Sequence, residues 1–299
     1  MAFSKLILPK NFTCLLRTKS TFFLVTAAHF SEVKTLGILL WLFGLSFADL
    51  YFKMYKFLYL LFHYPFGEPV EQEEMKKLAA EKAVQYIEDG MVIGLGTGST
   101  VEFAIKKIGE MVKGGLKIDG IPTSLKTKRL AAELKIPLLE LDDRIEIDVT
   151  IDGADEVDSN LNLIKGGGGS LTREKIIAYH SKKVIIIVDE TKIVKGLGCD
   201  SFLPVEVTKF GWLATKKALE SLGCTGELRK IMDEAFITDN QNYIIDCDFG
   251  KIADPEALEK EINNIPGVLD NGLFIGLADQ VIVGSKQGMM TLERQDIVQ

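Results

Sequence analysis

At 299 residues with a formal charge of -7, the chain is long enough for one large or two ordinary domains with cores of their own, and nothing in it needs metal or disulfides to fold. Its four cysteines, Cys14, Cys199, Cys224 and Cys247, lie far apart and form no C-x-x-C, which argues against a zinc site or a disulfide framework and fits a reducing, cytoplasmic setting. Residues 1–69 hold seven Lys/Arg against three Asp/Glu, leaving the remainder at -11; an acidic body argues against nucleic acid as a partner but allows an anionic small molecule where lysines and backbone N–H groups gather locally.

The N-terminal 1–69 is a different kind of sequence. Sixteen of the 26 aromatic residues fall before Val70. The longest uncharged apolar run there, Leu36 to Ala48, has 13 residues, short of the roughly 20 that a membrane helix requires. Extending it to Phe62 takes in Asp49, Lys53 and Lys56, each costly inside a bilayer. Upstream, Lys5, Lys10, Arg17 and Lys19 occur with no acid before Glu32, as in organelle transit segments. The extension is therefore read as a leader, a membrane anchor or a segment absent from the working protein, and an organelle is the alternative to the cytoplasm.

From Glu71 the apolar spacing becomes helical and ends at Gly90. A short buried strand, 91–95, runs into G-T-G-S-T (96–100) and a helix over 101–112. Helix 124–135 and an extended run 137–141 follow. Residues 147–151 alternate apolar and polar, predicting a strand with one wetter face that ends at D-G-A-D-E (152–156). The glycine run 166–169, a helix over 171–180 and the apolar strand 184–188 come next. Repeated strand, loop and helix units predict a parallel sheet covered by helices on both faces, with ligands at the carboxyl ends of its strands. From Phe202 the rhythm changes, predicting an inserted α+β domain over 201–269. Strand 280–284 returns to the first sheet, so 70–200 and 270–299 form the catalytic α/β domain.

Four stretches look chemical, and each follows a predicted strand. Gly94 to Thr100 has the form of a phosphate-binding turn into a helix. It fails as a dinucleotide fingerprint because Ser99 stands where glycine is needed, and it has no G-K-[ST] ending. Thr97, Gly98, Ser99 and Thr100 would hold a single phosphate group, the competing reading being a turn needed only for packing. Asp152, Asp155, Glu156 and Asp158 form a carboxylate cluster, either a solvated turn or a set whose mutual repulsion suits proton transfer. A calcium loop started at Asp158 fails at Leu163 and Gly169. Lys165, Gly166, Gly167 and Gly168 bring a cation and free amides to a point just ahead of Glu174. His180 is the single histidine of the body and reads as structural.

Taken together, G-T-G-S-T, I-P-T-S, I-D-G-A-D-E-V-D, L-I-K-G-G-G-G-S-L-T-R-E-K, L-P-V-E-V, T-D-N-Q-N and I-P-G-V-L-D-N-G-L-F resemble the A-type ribose-5-phosphate isomerases, in order from Glu71 to Glu293. The resemblance implies a Rossmann-like parallel-sheet domain plus a smaller α+β domain, a phosphosugar substrate, no metal or organic cofactor, and a homodimer or homotetramer. It implies Glu174 as catalytic base with Asp152, Asp155 and Lys165, substrate contacts from Thr97 to Thr100, from Asp152, Gly153, Ala154 and Asp155, and from Lys165 to Gly168, and added positive charge from Lys192 and Lys76. A non-catalytic sugar-phosphate sensor of related fold and a nicotinamide-dependent oxidoreductase are the rival readings.

Overall fold

The computed structural model describes residues 13–17, 22–26 and 70–294. The chain forms two compact units, Met1–Gly67 and Glu68–Gln299. In the first, β1 (Thr13–Arg17) pairs antiparallel with β2 (Phe22–Thr26), Thr13 opposite Thr26 and Arg17 opposite Phe22. The runs 36–48 and 51–62, and with them the leader and anchor readings, lie outside the described residues. Among the described residues no helix is long and apolar enough to cross a membrane.

The second unit opens with α1 (Val70–Ala83), followed by β3 (Val92–Leu95), α2 (Ser99–Lys113), β4 (Asp119–Pro122), α3 (Leu125–Glu133) and β5 (Val149–Asp152). Two short strands, β6 (Glu156–Val157) and β7 (Leu163–Ile164), lead to α4 (Leu171–Tyr179) and β8 (Val184–Asp189). Then come β9 (Leu203–Val207), α5 (Trp212–Glu220), β10 (Thr225–Leu228), β11 (Lys230–Ile231), β12 (Glu234–Ala235), β13 (Tyr243–Asp248) and α6 (Pro255–Asn263). The unit closes with β14 (Val268–Asn271), β15 (Leu273–Phe274), β16 (Gln280–Ser285) and β17 (Gly288–Glu293).

The main sheet runs β17-β16-β8-β5-β3-β4. All its neighbouring pairs are parallel except β16 with β17. β8 lies at its centre and is buried along its whole length, as expected of a strand covered on both faces. Ile185 and Ile187 pack with Ala79, Ala80 and Ala83 of α1 and Val101, Ala104, Ile105 and Ile108 of α2. Val184, Ile186 and Val188 turn the other way, toward Ala178 of α4 and Phe274 of β15, as the two-residue period of a strand requires. α1 sits close because Gly284 carries no side chain; a Cβ there would lie 1.9 Å from the Met75 carbonyl oxygen.

A second sheet, β10-β13-β9-β14, is antiparallel throughout. Its core joins Leu203, Val205, Val207, Ile245 and Cys247 to Leu219 of α5 and Ile262 of α6. A small sheet, β15-β7-β6, takes β6 and β7 from between β5 and β8 and β15 from between β14 and β16.

The extended run 137–141 meets β4 in one parallel bridge, Leu138 to Gly120. One expectation needs correction. β5 has no wet face, because Thr150 is fully buried, its hydroxyl paired with Ser181 Oγ at 2.7 Å. The polar letter that read as exposure is a satisfied hydroxyl lying against Gly94, where a Cβ would come within 1.9 Å of Thr150 Oγ1.

Candidate active site

β3, β5 and β8 are parallel, so the segments that leave their carboxyl ends emerge along one edge. Asp152 is the last residue of β5. Its Oδ1 accepts the backbone N–H of Thr97 at 3.0 Å and that of Gly153 at 2.8 Å. Gly96 makes this approach feasible, since a Cβ there would lie 2.2 Å from the same oxygen.

Lys165 follows β7, and its backbone N–H is tied to the Gly272 carbonyl at 2.9 Å. Its ammonium donates to the Gly153 carbonyl, lies 3.1 Å from Asp152 Oδ2 and 3.4 Å from Glu174 Oε2, and stands 5.3 Å from the centre of the Phe274 ring. Glu174 sits in the first turn of α4, its N–H bonded to the Ser170 carbonyl. Asp152, Lys165 and Glu174 are 2, 3 and 4% exposed. Asp152 Oδ2 and Glu174 Oε2 accept no hydrogen bond from the described residues. Both are buried acceptors facing one ammonium.

Burial pushes the Glu174 carboxyl up to about 8; the Lys165 ammonium opposes the rise, and the Asp152 and Asp155 charges reinforce it. Burial acts to lower Lys165, but Asp152 and Glu174 outweigh it and hold the ammonium above its usual range. A carboxyl group titrating near neutral pH beside a permanent cation can take up and give back a proton, which is what a general acid–base group requires.

A stability consequence follows from linkage. Between the ordinary carboxyl value of 4.5 and about 8, the folded state keeps a proton that the unfolded chain has lost, so stability falls as pH rises through this window. The Glu174→Gln variant lacks that dependence. Its stability relative to the parent is expected to rise between pH 5 and pH 9, read by urea denaturation at each pH. A difference independent of pH would contradict the raised value.

The other expected residues are placed as follows. Asp155 Oδ2 accepts the Gly167 N–H at 2.7 Å, so that amide is engaged by the protein and unavailable to a ligand. Only Gly166 and Gly169 of the run take positive φ, 103° and 83°. Gly167 is needed for space, because a Cβ would come within 2.8 Å of Asp155 Oδ1. A Cβ on Gly168 would meet Thr97 Cγ2 at 3.9 Å, so the glycine run and the threonine turn face each other. Gly153, Ala154 and Asp155 are half-buried beside them.

The Thr97 hydroxyl is not the free donor expected from the sequence. It is held by Thr123 Oγ1 at 2.7 Å, Ser124 Oγ at 2.8 Å and Thr127 Oγ1 at 3.1 Å, and so fastens the turn to the start of α3. Gly98, at φ 139°, precedes the first turn of α2, whose N–H groups have no partner within the helix. Ser99 is exposed and Thr100 buried. Lys76 of α1, only 4% exposed, donates to Ser99 Oγ at 2.9 Å and brings positive charge to this helix end. Lys192 ends a short helical turn, Glu190–Lys192, beyond β8; no hydrogen bond or ion pair joins it to the cluster among the described residues.

Glu156 and Asp158 leave the expected carboxylate cluster. Glu156 accepts the N–H groups of Gly198 and Asp200 at 2.6 and 2.9 Å. Asp158 closes its own turn by accepting from Asn160 and Asn162. Arg229, which sequence reasoning missed, is paired with Asp246 and donates to the carbonyls of Gly166 and Gly167 at 2.8 and 3.1 Å. Beside it a hollow of about 250 Å³ opens between Phe202 and the glycine run. No local signal marks Arg229, because the glycine carbonyls it holds lie more than 60 residues away in sequence.

Such a parallel sheet, with a buried acid–lysine–acid cluster next to a glycine-rich turn and a helix N-terminus, defines an α/β protein with a charged, buried cluster at the carboxyl edge of its sheet. The comparisons narrow the class. Residues 119–288 match the family model for ribose 5-phosphate isomerase A, or phosphoriboisomerase A. The ribose-5-phosphate isomerase A of Parvibaculum lavamentivorans is 50% identical over 229 residues, covering 74% of this chain and 98% of the relative. That of Gloeobacter violaceus is 52% identical over 219 residues, covering 73% and 95%. A solved D-ribose-5-phosphate isomerase in complex with phospho-erythronic acid superposes with a TM-score of 0.72 at 50% identity, covering 74% of this chain and 99% of that one. The Plasmodium falciparum ribose 5-phosphate isomerase gives 0.73 at 42% identity, covering 75% and 99%. The chain belongs to the ribose-5-phosphate isomerase A family.

Proposed function

We propose that this protein interconverts D-ribose 5-phosphate and D-ribulose 5-phosphate, an aldose–ketose isomerisation of the non-oxidative pentose phosphate pathway, through a cis-enediolate. The single observation that carries the reading is the buried Lys165 ammonium between the Asp152 and Glu174 carboxylates. Moving the carbonyl from C1 to C2 removes a proton from C2 and returns one to C1. Glu174 does both: its carboxylate takes the C2 proton, and the resulting acid protonates C1. A raised basicity suits it to a carbon acid.

Negative charge develops on the oxygens at C1 and C2 while the proton is on Glu174. Lys165 is placed to stabilise it, and a preorganised donor of this kind is worth roughly 3 to 4 kcal/mol in the transition state. The Gly168 amide is assigned as a second donor; Gly167, spent on Asp155, is not. Asp152, whose Oδ2 lies 3.1 Å from the Lys165 ammonium, serves ring opening by exchanging a proton with the ring oxygen or the C1 hydroxyl, and Asp155 assists by fixing the glycine run. The phosphate is assigned to the α2 N-terminus with Lys76, and Lys192 contributes charge from the same edge of the sheet. Phospho-erythronic acid, found on the related structure, is a phosphorylated sugar acid with the charge distribution this site would select.

A sensor would have no use for a base at 174 held against a lysine, so catalysis accounts for the site better than binding alone. The assembly proposed is a homodimer or homotetramer; the working compartment is the cytoplasm, or an organelle if residues 1–69 direct it there. The test is direct. Purified protein given ribose 5-phosphate, with a chelator and without nicotinamide nucleotide, is expected to form ribulose 5-phosphate at the rate seen without chelator. Binding without turnover would replace the isomerase reading by the sensor.

A further inference from the structure

We propose that Glu206 is a positioning residue for the reaction, its buried carboxylate locking the first turn of α4, and so the base Glu174, to the 238–242 loop. The proposal rests on the reading of Glu174 as the proton shuttle. Glu206 lies on β9 and is 1% exposed. Its Oε2 accepts the Thr172 hydroxyl at 2.6 Å. Its Oε1 accepts from Thr238 Oγ1 at 2.7 Å, Asn242 Nδ2 at 3.0 Å and Asn240 Nδ2 at 3.4 Å.

The same loop reaches further. Arg173 donates through Nε to Asn240 Oδ1 at 2.8 Å and through Nη2 to the Asp239 carbonyl at 3.1 Å. Asp239 Oδ2 accepts the N–H of Leu125 at 2.7 Å. Leu125 opens α3, whose Thr127, with the capping Ser124, holds the Thr97 hydroxyl. One loop thus fastens both arms of the site, the helix of the base and the turn that faces the glycine run.

Two features make this attachment matter for geometry. α4 has nine residues and no side-chain cap at Ser170, so its first turn is not fixed by its own end. Thr172 and Glu174 are two positions apart, about 200° around a helix. A grip on Thr172 from the Glu206 side therefore sets the rotation of the turn and the direction in which Glu174 projects. A displacement near 1 Å at a reacting group is enough to cost about a hundredfold in rate.

The test compares Thr172→Val, which removes the hydroxyl and keeps the shape, with Thr172→Ser, which keeps the hydroxyl. Thr172→Val is expected to lower kcat ten- to hundredfold with KM changed less than threefold, and to move the rising limb of the kcat/KM pH profile that reports Glu174. Thr172→Ser should restore kcat to within threefold of the parent. Glu206→Gln should act in the same direction; if it does not fold, the Thr172 pair decides. A Thr172→Val enzyme with lowered melting temperature but parental kcat and pH profile would overturn the proposal, leaving Glu206 a purely structural acid. Glu174→Gln, run alongside, separates the two readings. Its inactivity together with an unaffected Thr172→Val removes only the lock, whereas an active Glu174→Gln removes the shuttle on which the lock depends.

Discussion

Glu174→Gln is expected to lower kcat about ten-thousand-fold while sugar-phosphate binding stays within about fivefold. The upper end of the range for a general base is about 10⁴, and this site gives reason to expect it. In the proposed shuttle one carboxyl group both abstracts and returns the proton, so no second group compensates. Asp152 has Oδ1 committed to two backbone N–H groups and its Oδ2 3.1 Å from the Lys165 ammonium. The amide of glutamine fills the same space, so the lysine and the glycine run should keep their places. Steady-state kinetics and calorimetry with a non-reacting sugar phosphate separate the two quantities. Unchanged turnover would remove Glu174 from the mechanism.

Lys165→Met should damage both stability and rate. Removing the ammonium leaves Asp152 and Glu174 facing each other in a site only a few per cent exposed. Breaking a buried pair in this way costs about 3 to 5 kcal/mol. Because the Lys165 ammonium opposes the rise of Glu174 to about 8, the carboxyl in the variant holds its proton to higher pH, and the loss is expected to grow as pH rises past about 8. Kinetically, loss of one oxyanion donor costs about a hundred- to thousandfold in kcat. Denaturation at pH 8 and above, with kcat at pH 8, checks both. A variant as stable as the parent at pH 8 would mean that the two acids do not share their charge with Lys165.

How far the sequence discloses this site depends on whether each interaction is local. The turn at 96–98, the acids at 152 and 174 and the lysine at 165 are legible because each lies at or soon after a strand end and carries its own chemical signature. The alternating run 147–151 misleads on exposure because Thr150 hides its hydroxyl against Ser181, a partner 31 residues away. D-G-A-D-E reads as one carboxylate cluster, but the chain turns at Gly153, and Glu156 is drawn off by Gly198 and Asp200. The Thr97 hydroxyl reads as a ligand donor because its three partners, Thr123, Ser124 and Thr127, lie about 30 residues on, at and just before the start of α3. Arg229 and Glu206 leave no trace in local pattern at all; their roles arise where the second sheet meets the glycine run and α4.

The most direct measurement of the central claim is hydrogen exchange at the substrate carbons, followed by NMR in deuterated water with the parent and the Glu174→Gln variant. The parent should place solvent deuterium at C1 of ribulose 5-phosphate as it isomerises. The variant, binding the same sugar, should show less than about a thousandth of that rate, within the range set for loss of a general base. Exchange by Glu174→Gln at a rate near the parent's would contradict the single-carboxylate shuttle.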